Sequence, residues 1–287
     1  MEGQKAARGT ALVTGASRGI GGAIAQALAT EGWDVIAVCR DPDKIPRAQR
    51  ADANAAEYGG PGVRYLGLDL SKRQSVDRLM RTVKTVDVLV NNIGASPIGP
   101  AEEAPIEKVR ELFELNFFTA VRLTQAYLPA MRKRGRGVVI SIGSMRGEVP
   151  TPFSSFYSAS KAALRSFSEC VRMEVKEYGV SVSMIAPIYI RTTLPQEKQY
   201  STKSSYADAV RSVKASRDRL IAAAAEPQAV AKVVLKILAA SRPRAFYTAG
   251  RAAGLRAFLA RHLPRRMVEA NMARTFGLYV SRKKQER

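Results

Sequence analysis

Short apolar runs alternate with helical patterns along the chain. The runs predict buried β-strands at residues 10–15, 34–39, 63–70, 86–92, 137–144, 180–187 and 244–248. Apolar residues at three- and four-residue spacing predict a first helix that begins near Ile20, and further helices at 43–57, 75–83, 106–115, 117–133, 155–178 and 227–240. Residues 188–225 have a less regular pattern.

This alternation predicts the fold class. Strands separated by helices pair in parallel through right-handed crossovers, so we expect an α/β fold in which a doubly wound, parallel seven-stranded sheet carries helices on both faces. Because no repeat or linker divides the sequence, we predict one domain over residues 1–287, with a core at about 8–250 and a helical extension at about 251–287. Ligands of such sheets bind at the carboxyl ends of the strands.

Composition narrows the classes of function. The chain has two cysteines and one histidine, which are too few for a disulfide framework or a zinc site, so we expect no metal. No apolar run is long enough to cross a bilayer, and the first residues, MEGQKAARGT, lack the apolar stretch of a secretory leader. We therefore expect a cytoplasmic protein, or one at the periphery of a membrane.

The net charge of +21 adds a second expectation, because a positive field attracts phosphorylated cofactors, acidic lipids or nucleic acid. Twelve Lys and Arg residues but only two Glu lie between Arg242 and Arg287, among apolar residues at helical spacing. This basic amphipathic pattern predicts a helix over the substrate cleft, a contact with an acidic membrane surface, or both together. No zinc finger or RNA-binding aromatic motif accompanies it, so we expect no specific binding of nucleic acid.

A glycine-rich turn, TGASRGIG at residues 14–21, joins the first predicted strand to the first helix. Gly15 permits a tight turn, Gly19 lets the backbone approach a pyrophosphate, and Gly21 lets the helix pack closely on the sheet. The helix N-terminus offers N–H groups to the phosphates. We predict a dinucleotide site here, to which Ser17, Arg18 and Ile20 also belong.

The residue after the second strand selects between the two nicotinamide cofactors. An acidic residue there would hold the ribose 2′-hydroxyl and repel a 2′-phosphate, but this strand ends in Cys39 and Arg40. The guanidinium groups of Arg18 and Arg40 favour a 2′-phosphate through charge-assisted hydrogen bonds. The sequence therefore predicts NADP(H) rather than NAD(H).

Tyr157 and Lys161 are four residues apart near the start of the long predicted helix, so they share one helical face. A nearby ammonium favours the ionised form of a phenol, and such a phenol can give a proton to a carbonyl oxygen or take one from an alcohol. Ser144 ends the preceding strand, where a hydroxyl can hydrogen-bond the substrate oxygen. Asn116 lies between the two predicted helices that follow the fourth strand.

Together these residues resemble the short-chain dehydrogenase/reductase family, in its form with a single Rossmann domain, over about residues 8–250. The family's glycine motif is matched by residues 14–21, and its Asn-Asn-x-Gly motif by residues 91–94. The resemblance implies that Tyr157 is the general acid/base and that Ser144 orients the carbonyl. It also implies that Lys161 binds the nicotinamide ribose and that Asn116 supports a water relay. Further implied cofactor contacts are Asp69 at the adenine, and Asn91, Gly94, Pro187, Ile190 and Thr192.

One departure from the family pattern concerns the substrate mouth, because Pro187-Ile188 stands where Pro-Gly is common. The long extension is similar to that of members that act on steroids, retinoids or long-chain acyl carbonyls. We therefore expect a lipophilic ketone, aldehyde or alcohol as substrate.

Two other functions stay open: reduction of a 3-oxoacyl thioester, and non-catalytic sensing of NADP(H). For the assembly, the resemblance implies a dimer or tetramer built through the helices near 106–133 and 155–178.

Overall fold

The computed structural model describes residues 8–41, 62–192 and 205–278. Strands and helices alternate within these ranges, as predicted, whereas the helix expected at 43–57 lies outside them. The strands are β1 (Thr10–Thr14), β2 (Asp34–Cys39), β3 (Val63–Gly67), β4 (Val88–Asn91), β5 (Gly137–Ile142), β6 (Val180–Pro187) and β7 (Phe246–Ala249). The helices are α1 (Gly19–Thr30), α2 (Arg73–Thr82), α3 (Ile106–Phe113), α4 (Thr119–Arg134), α5 (Ser155–Val175), α6 (Ala207–Ala222), α7 (Gln228–Ala239), α8 (Ala253–His262) and α9 (Arg265–Thr275).

The seven strands form one parallel sheet in the order β3-β2-β1-β4-β5-β6-β7. Successive side chains of a strand point to opposite faces, and here both faces are covered. On one face, Ala11 and Val13 of β1 pack with apolar residues of α1 and α7. On the other, Leu12 packs with residues of α2, α4 and α5. This double burial explains the continuous apolar runs and confirms the predicted fold class.

Two predicted helices, 106–115 and 117–133, are parts of one longer helix. A π-helical turn over Glu114–Phe118 joins α3 to α4, and the backbone stays helical throughout. The Thr119 N–H and hydroxyl both donate to the Glu114 carbonyl oxygen, five residues earlier. Such turns are frequent at functional sites, and this one carries Asn116.

Helix α6 was not predicted, because it lies within the stretch whose pattern is less regular. Its apolar face is nonetheless buried: Val210 and Val213 pack with Phe276 and Ile98. Phe276 lies directly after α9 and is fully buried, and its carbonyl oxygen accepts a hydrogen bond of 2.8 Å from Ser212 Oγ on α6. The predicted C-terminal extension is therefore helical and packed on α6 in its described part. None of the described helices has the length and hydropathy to cross a bilayer.

Candidate active site

The glycine-rich loop connects β1 to α1 at the carboxyl edge of the sheet. Gly15 adopts a positive φ of 66°, which favours glycine. A Cβ at Gly21 would lie 2.3 Å from the Gly15 carbonyl oxygen, so the first turn of α1 packs on the loop only with glycine at this position. Ser17 is half-buried and Arg18 is exposed. This tight loop before a helix N-terminus fits the phosphates of a dinucleotide.

Asn92, directly after β4, fixes this loop. Its side-chain N–H group donates to the carbonyl oxygens of Thr14 at 2.8 Å and Gly15 at 3.2 Å. Its backbone N–H donates to Thr14 Oγ1 at 2.9 Å. The preceding Asn91 instead donates to Thr124 Oγ1 on α4, at 3.2 Å. Of the two adjacent amides, Asn92 therefore contacts the glycine loop, and Asn91 anchors a helix.

The end of β2 lies beside the glycine loop, since the Ala16 N–H donates to the Val38 carbonyl oxygen at 3.0 Å. Arg40, the next residue after β2, is exposed. Burial, together with the nearby charge of Asp41, raises the pKa of the Cys39 thiol to about 11, so this thiol is protonated at neutral pH. Asp69, two residues after β3, accepts hydrogen bonds from the backbone and hydroxyl of Ser71, at 3.1 and 2.7 Å.

Asn116 is held by three hydrogen bonds inside the π-helical turn. Its Oδ1 accepts from the Ala95 N–H at 2.9 Å, and its Nδ2 donates to the Ala95 carbonyl oxygen at 3.0 Å and to Ser160 Oγ at 3.1 Å. These bonds join the loop after β4 to α5. Gly94 lies between Asn116 and Lys161: a Cβ there would be 3.1 Å from Asn116 Oδ1 and 3.5 Å from Lys161 Nζ.

Lys161 is a buried cation on α5. Its Nζ donates to the Ile142 carbonyl oxygen at 2.9 Å, at the end of β5. Burial lowers the pKa of Lys161 to about 8, because removal from water disfavours the ammonium. The structure thus places the predicted Lys161 at the same strand end as Ser144 and against Asn116.

Ser144 and Tyr157 both line one cavity. The Ser144 hydroxyl oxygen accepts from the Arg146 N–H at 3.1 Å, which starts a 3₁₀ turn over Met145–Gly147. This turn packs on α5 through Gly147. The Arg146 guanidinium lies 5.7 Å from the centre of the Tyr157 ring, within cation–π range. Arg146 was not predicted as a site residue.

The cavity has a volume of about 970 Å³, as large as a typical ligand pocket. Besides Tyr157, four predicted cofactor contacts line it, namely Ile20, Pro187, Ile190 and Thr192. Ile188 also lines it, and packs beside Met145 of the 3₁₀ turn and Ala257 of α8. Most of the apolar lining comes from α6, α8, α9 and the residue directly after α8. These residues are Leu220, Ile221, Leu259, Leu263, Met267, Val268 and Met272.

Arg217 on α6 is the second site residue that sequence reasoning missed. It is buried, lines the cavity and donates from Nη1 to the Ser96 carbonyl oxygen at 3.3 Å. The sequence contained a pattern that could have revealed it. Val210, Val213 and Leu220 follow helical spacing, and Arg217 occupies the position of that apolar face between the last two.

Chemically, the arrangement offers a phenol and a hydroxyl in a largely apolar cavity, next to a loop suited to a dinucleotide. A phenol can transfer a proton to or from an oxygen, and a serine hydroxyl can hydrogen-bond the same oxygen. These are the groups needed for proton transfer at a carbonyl or an alcohol.

Comparison with known proteins agrees with this geometry. A family model described as short chain dehydrogenase matches residues 9–203. Among curated proteins, a dehydrogenase/reductase SDR family protein 7-like from Anopheles gambiae is 34% identical over 79% of this chain and 71% of its own length. Retinol dehydrogenase 8 from Bos taurus is 31% identical, over 82% of this chain and 79% of its own. Ketoacyl reductase HetN from a Nostoc strain is 32% identical, over 73% and 76%.

Solved structures give the same result. A short-chain dehydrogenase from Streptomyces avermitilis superposes with a TM-score of 0.77 at 30% identity, and the match covers 93% of this chain and 98% of that one. A metagenomic short-chain oxidoreductase in complex with NADP superposes with a TM-score of 0.64 at 28% identity, over 83% and 95%. The chain therefore belongs to the short-chain dehydrogenase family, whose members are oxidoreductases that use a nicotinamide cofactor.

Proposed function

We propose that this protein is an NADP(H)-dependent oxidoreductase that interconverts a lipophilic ketone or aldehyde and the corresponding alcohol. The observation that carries the proposal is the cavity itself: Tyr157 and Ser144 line it together with apolar side chains of α6, α8 and α9. A lipophilic substrate gains binding free energy from such walls while its one polar group meets the two hydroxyls.

The chain's own residues supply the proton chemistry. In the reducing direction Tyr157 gives the proton of its hydroxyl to the carbonyl oxygen, and in the oxidising direction the phenolate oxygen takes that proton back. The Ser144 hydroxyl hydrogen-bonds the same oxygen and stabilises the charge that develops on it. A bound nicotinamide cofactor supplies or accepts the hydride. Lys161 and Asn116 fix the backbone around the site: Lys161 bonds the end of β5, and Asn116 bonds the loop after β4.

For the cofactor we infer NADP(H). Arg18 on the glycine loop and Arg40 after β2 are exposed side chains on neighbouring segments of the sheet edge. Two cations there favour a 2′-phosphate. A relative described as bound to NADP supports this assignment. Asp41 follows Arg40, and an acidic side chain at this edge favours a ribose 2′-hydroxyl instead.

The experiment that tests the function is a panel of aliphatic, steroid and retinoid carbonyls with NADPH, run on the wild type and on Tyr157→Phe. We expect reduction of lipophilic members, and a fall in kcat of at least about 10²-fold in the variant, the lower range for removal of a general acid. Binding of NADPH should be retained, because the change removes one hydroxyl.

Tyr247→Phe is the matched control, since this tyrosine lies on β7, its hydroxyl oxygen accepts a hydrogen bond from the Arg244 N–H, and it does not line the cavity. Its kcat should equal that of the wild type. Full activity in Tyr157→Phe would contradict the mechanism.

Reduction of a 3-oxoacyl thioester is the second candidate, supported by the relative described as ketoacyl reductase HetN. A 3-oxoacyl thioester also combines a ketone with an apolar chain, and so fits the same cavity. One medium-chain 3-oxoacyl thioester is therefore added to the panel. The ratio of kcat/KM for this thioester to kcat/KM for the best lipophilic ketone discriminates between the two candidate functions.

We further propose a homo-oligomer, as members of the family commonly form. Large apolar side chains are exposed on the two helical segments expected at the interface: Ile106 and Phe118 on α3 and the π-helical turn, and Met173 on α5. Light scattering after size-exclusion chromatography tests this proposal, and a monomer at micromolar concentration would contradict it.

A further inference from the structure

Two arginines that the proton chemistry does not use meet in the wall of the cavity. Arg146 Nη1 donates to Ser96 Oγ at 3.2 Å, and Arg217 Nη1 donates to the Ser96 carbonyl oxygen at 3.3 Å. They come from distant parts of the chain, the 3₁₀ turn after β5 and helix α6. Both line the cavity together with Tyr157. Both guanidinium groups therefore lie within hydrogen-bond distance of the same residue, Ser96.

These two charges have no ion-pair partner in the described part of the chain. Neither arginine forms an ion pair with a described carboxylate, and no Asp or Glu is among the described residues that line the cavity. Arg217 is only 6% exposed. Burial lowers the pKa of Arg217, and the charge of Arg146 lowers it further, whereas Tyr157 and the exposed Asp218 act in the opposite direction.

An arginine stays protonated at neutral pH even when its pKa is lowered, so the repulsion persists in the protein without substrate. A buried cation without a counterion destabilises the fold. The fold therefore retains two like charges where an anion would be favourable. The other positions of this face of α6 hold Val210, Val213 and Leu220, so an apolar residue at position 217 would continue the pattern.

We propose that Arg146 and Arg217 bind a carboxylate of the substrate, close to the carbonyl that Tyr157 protonates. This rests on the proposed function and narrows its substrate class to an oxo carboxylic acid, or the corresponding hydroxy acid, with an apolar body. The planar guanidinium groups match a carboxylate in shape and charge. The distance of 5.7 Å from the Arg146 guanidinium to the Tyr157 ring puts the carboxylate within a few bonds of the reacting carbon.

A binding experiment tests the proposal without turnover. Dodecanoate and dodecanol, which share an apolar chain, are titrated into the NADPH-loaded protein by calorimetry, because the reduced cofactor cannot oxidise the alcohol. We expect dodecanoate to bind at least about tenfold more tightly, the effect of one good charge-assisted contact. Arg217→Met and Arg146→Met should each abolish most of that preference and leave dodecanol binding intact. Arg217→Lys, which keeps the charge but not the planar group, should retain part of it.

Arg219→Met is the matched control, because Arg219 lies on the same helix, is exposed and bonds Ser216 rather than the cavity. The Arg219→Met variant should keep the full preference for dodecanoate over dodecanol. Loss of the preference in this variant would indicate a general electrostatic effect and would overturn the proposal. Equal binding of dodecanoate and dodecanol to the wild type would also overturn it. So would weaker NADP⁺ binding with an unchanged acid preference in Arg217→Met, which would assign the arginines to the cofactor.

Turnover separates this proposal from the function on which it rests. We compare 4-oxododecanoate with its methyl ester, in which the ketone is the same and the charge is absent. A wild type that reduces both equally well would refute the carboxylate site and leave the oxidoreductase function intact. Arginine-dependent binding of dodecanoate without reduction of any ketone would do the reverse.

Discussion

At the scale of single residues, the proposed preference for NADPH over NADH depends on the charges next to the glycine loop. Arg40 is an exposed cation at the end of β2, beside the glycine loop. Arg40→Asp replaces it by an acid that repels a 2′-phosphate, so the ratio of kcat/KM for NADPH to that for NADH should fall by at least about tenfold, the effect of one charge-assisted hydrogen bond. Asp41→Asn is the matched change of opposite sign and should raise the ratio. An unchanged ratio in Arg40→Asp would argue against NADP(H).

Lys161 gives a prediction at the same scale about pH. Its pKa in the folded protein is lowered to about 8, below its value in the unfolded chain. Below about pH 8 both states carry the ammonium and its burial destabilises the fold. As the pH rises further, the folded state loses the proton first, and the free energy of unfolding rises.

The variant Lys161→Met removes this titration. Between about pH 7 and about pH 9.5, the wild type without nucleotide should gain about 2 kcal/mol of unfolding free energy relative to the variant. Urea unfolding at both pH values measures the difference. A constant gap between the two proteins would contradict the buried ammonium.

Among the elements, α9 has the clearest anchor. Phe276 is fully buried among α6 residues and Met272. Phe276→Ala should destabilise the contact between α9 and α6 by about 3 kcal/mol. Hydrogen exchange should accelerate at residues 205–278 before it does so in β1 and β4. Phe118→Ala, at a half-exposed phenylalanine, is the control and should leave exchange in α9 unchanged.

The elements also show how far sequence reasoning reaches. All seven strands were predicted, because double burial leaves continuous apolar runs such as Ala11–Val13 and Val35–Val38. Helix α6 was missed since its surface side is polar and its apolar face is interrupted by Arg217. Spacing predicted the glycine turn and the pair Tyr157 and Lys161, whereas the role of Asn116 came from the family resemblance, and the roles of all these residues stay predictions. The alternation of side chains along β4 does not by itself tell whether Asn91 or Asn92 contacts the glycine loop. The sequence also does not show that Arg146 and Arg217 meet at Ser96, because tertiary packing brings them together.

For the whole molecule, we propose one domain, because the described extension shares a hydrophobic cluster with α6 and encloses the same cavity as β5 and β6. Its outer side is different in character. Leu255 and Phe258 of α8 are 60% and 57% exposed, and Arg251, Arg265 and Arg266, which are close to them in sequence, are exposed as well. The side chains of Arg256 and Arg261, which belong to the same sequence pattern, lie outside the described part.

An apolar surface edged with cations suits the boundary of an acidic bilayer. We expect the protein to float with phosphatidylserine-containing vesicles at low salt and to be released as salt is raised. Leu255→Ser combined with Phe258→Ser should reduce the floated fraction several-fold, as loss of two buried apolar side chains predicts. Failure of the wild type to float on acidic vesicles would reject the membrane contact.

Two stretches of sequence line the cavity. The match to the family model ends at residue 203, so it contains the glycine loop, Tyr157 and Lys161. Arg217 and much of the apolar wall come from residues 205–278, after the end of that match. Substitutions in this later stretch are therefore expected to change which substrates bind and to leave the proposed proton transfer unchanged. Among related chains, we expect the last third to vary in sequence more than the first two thirds.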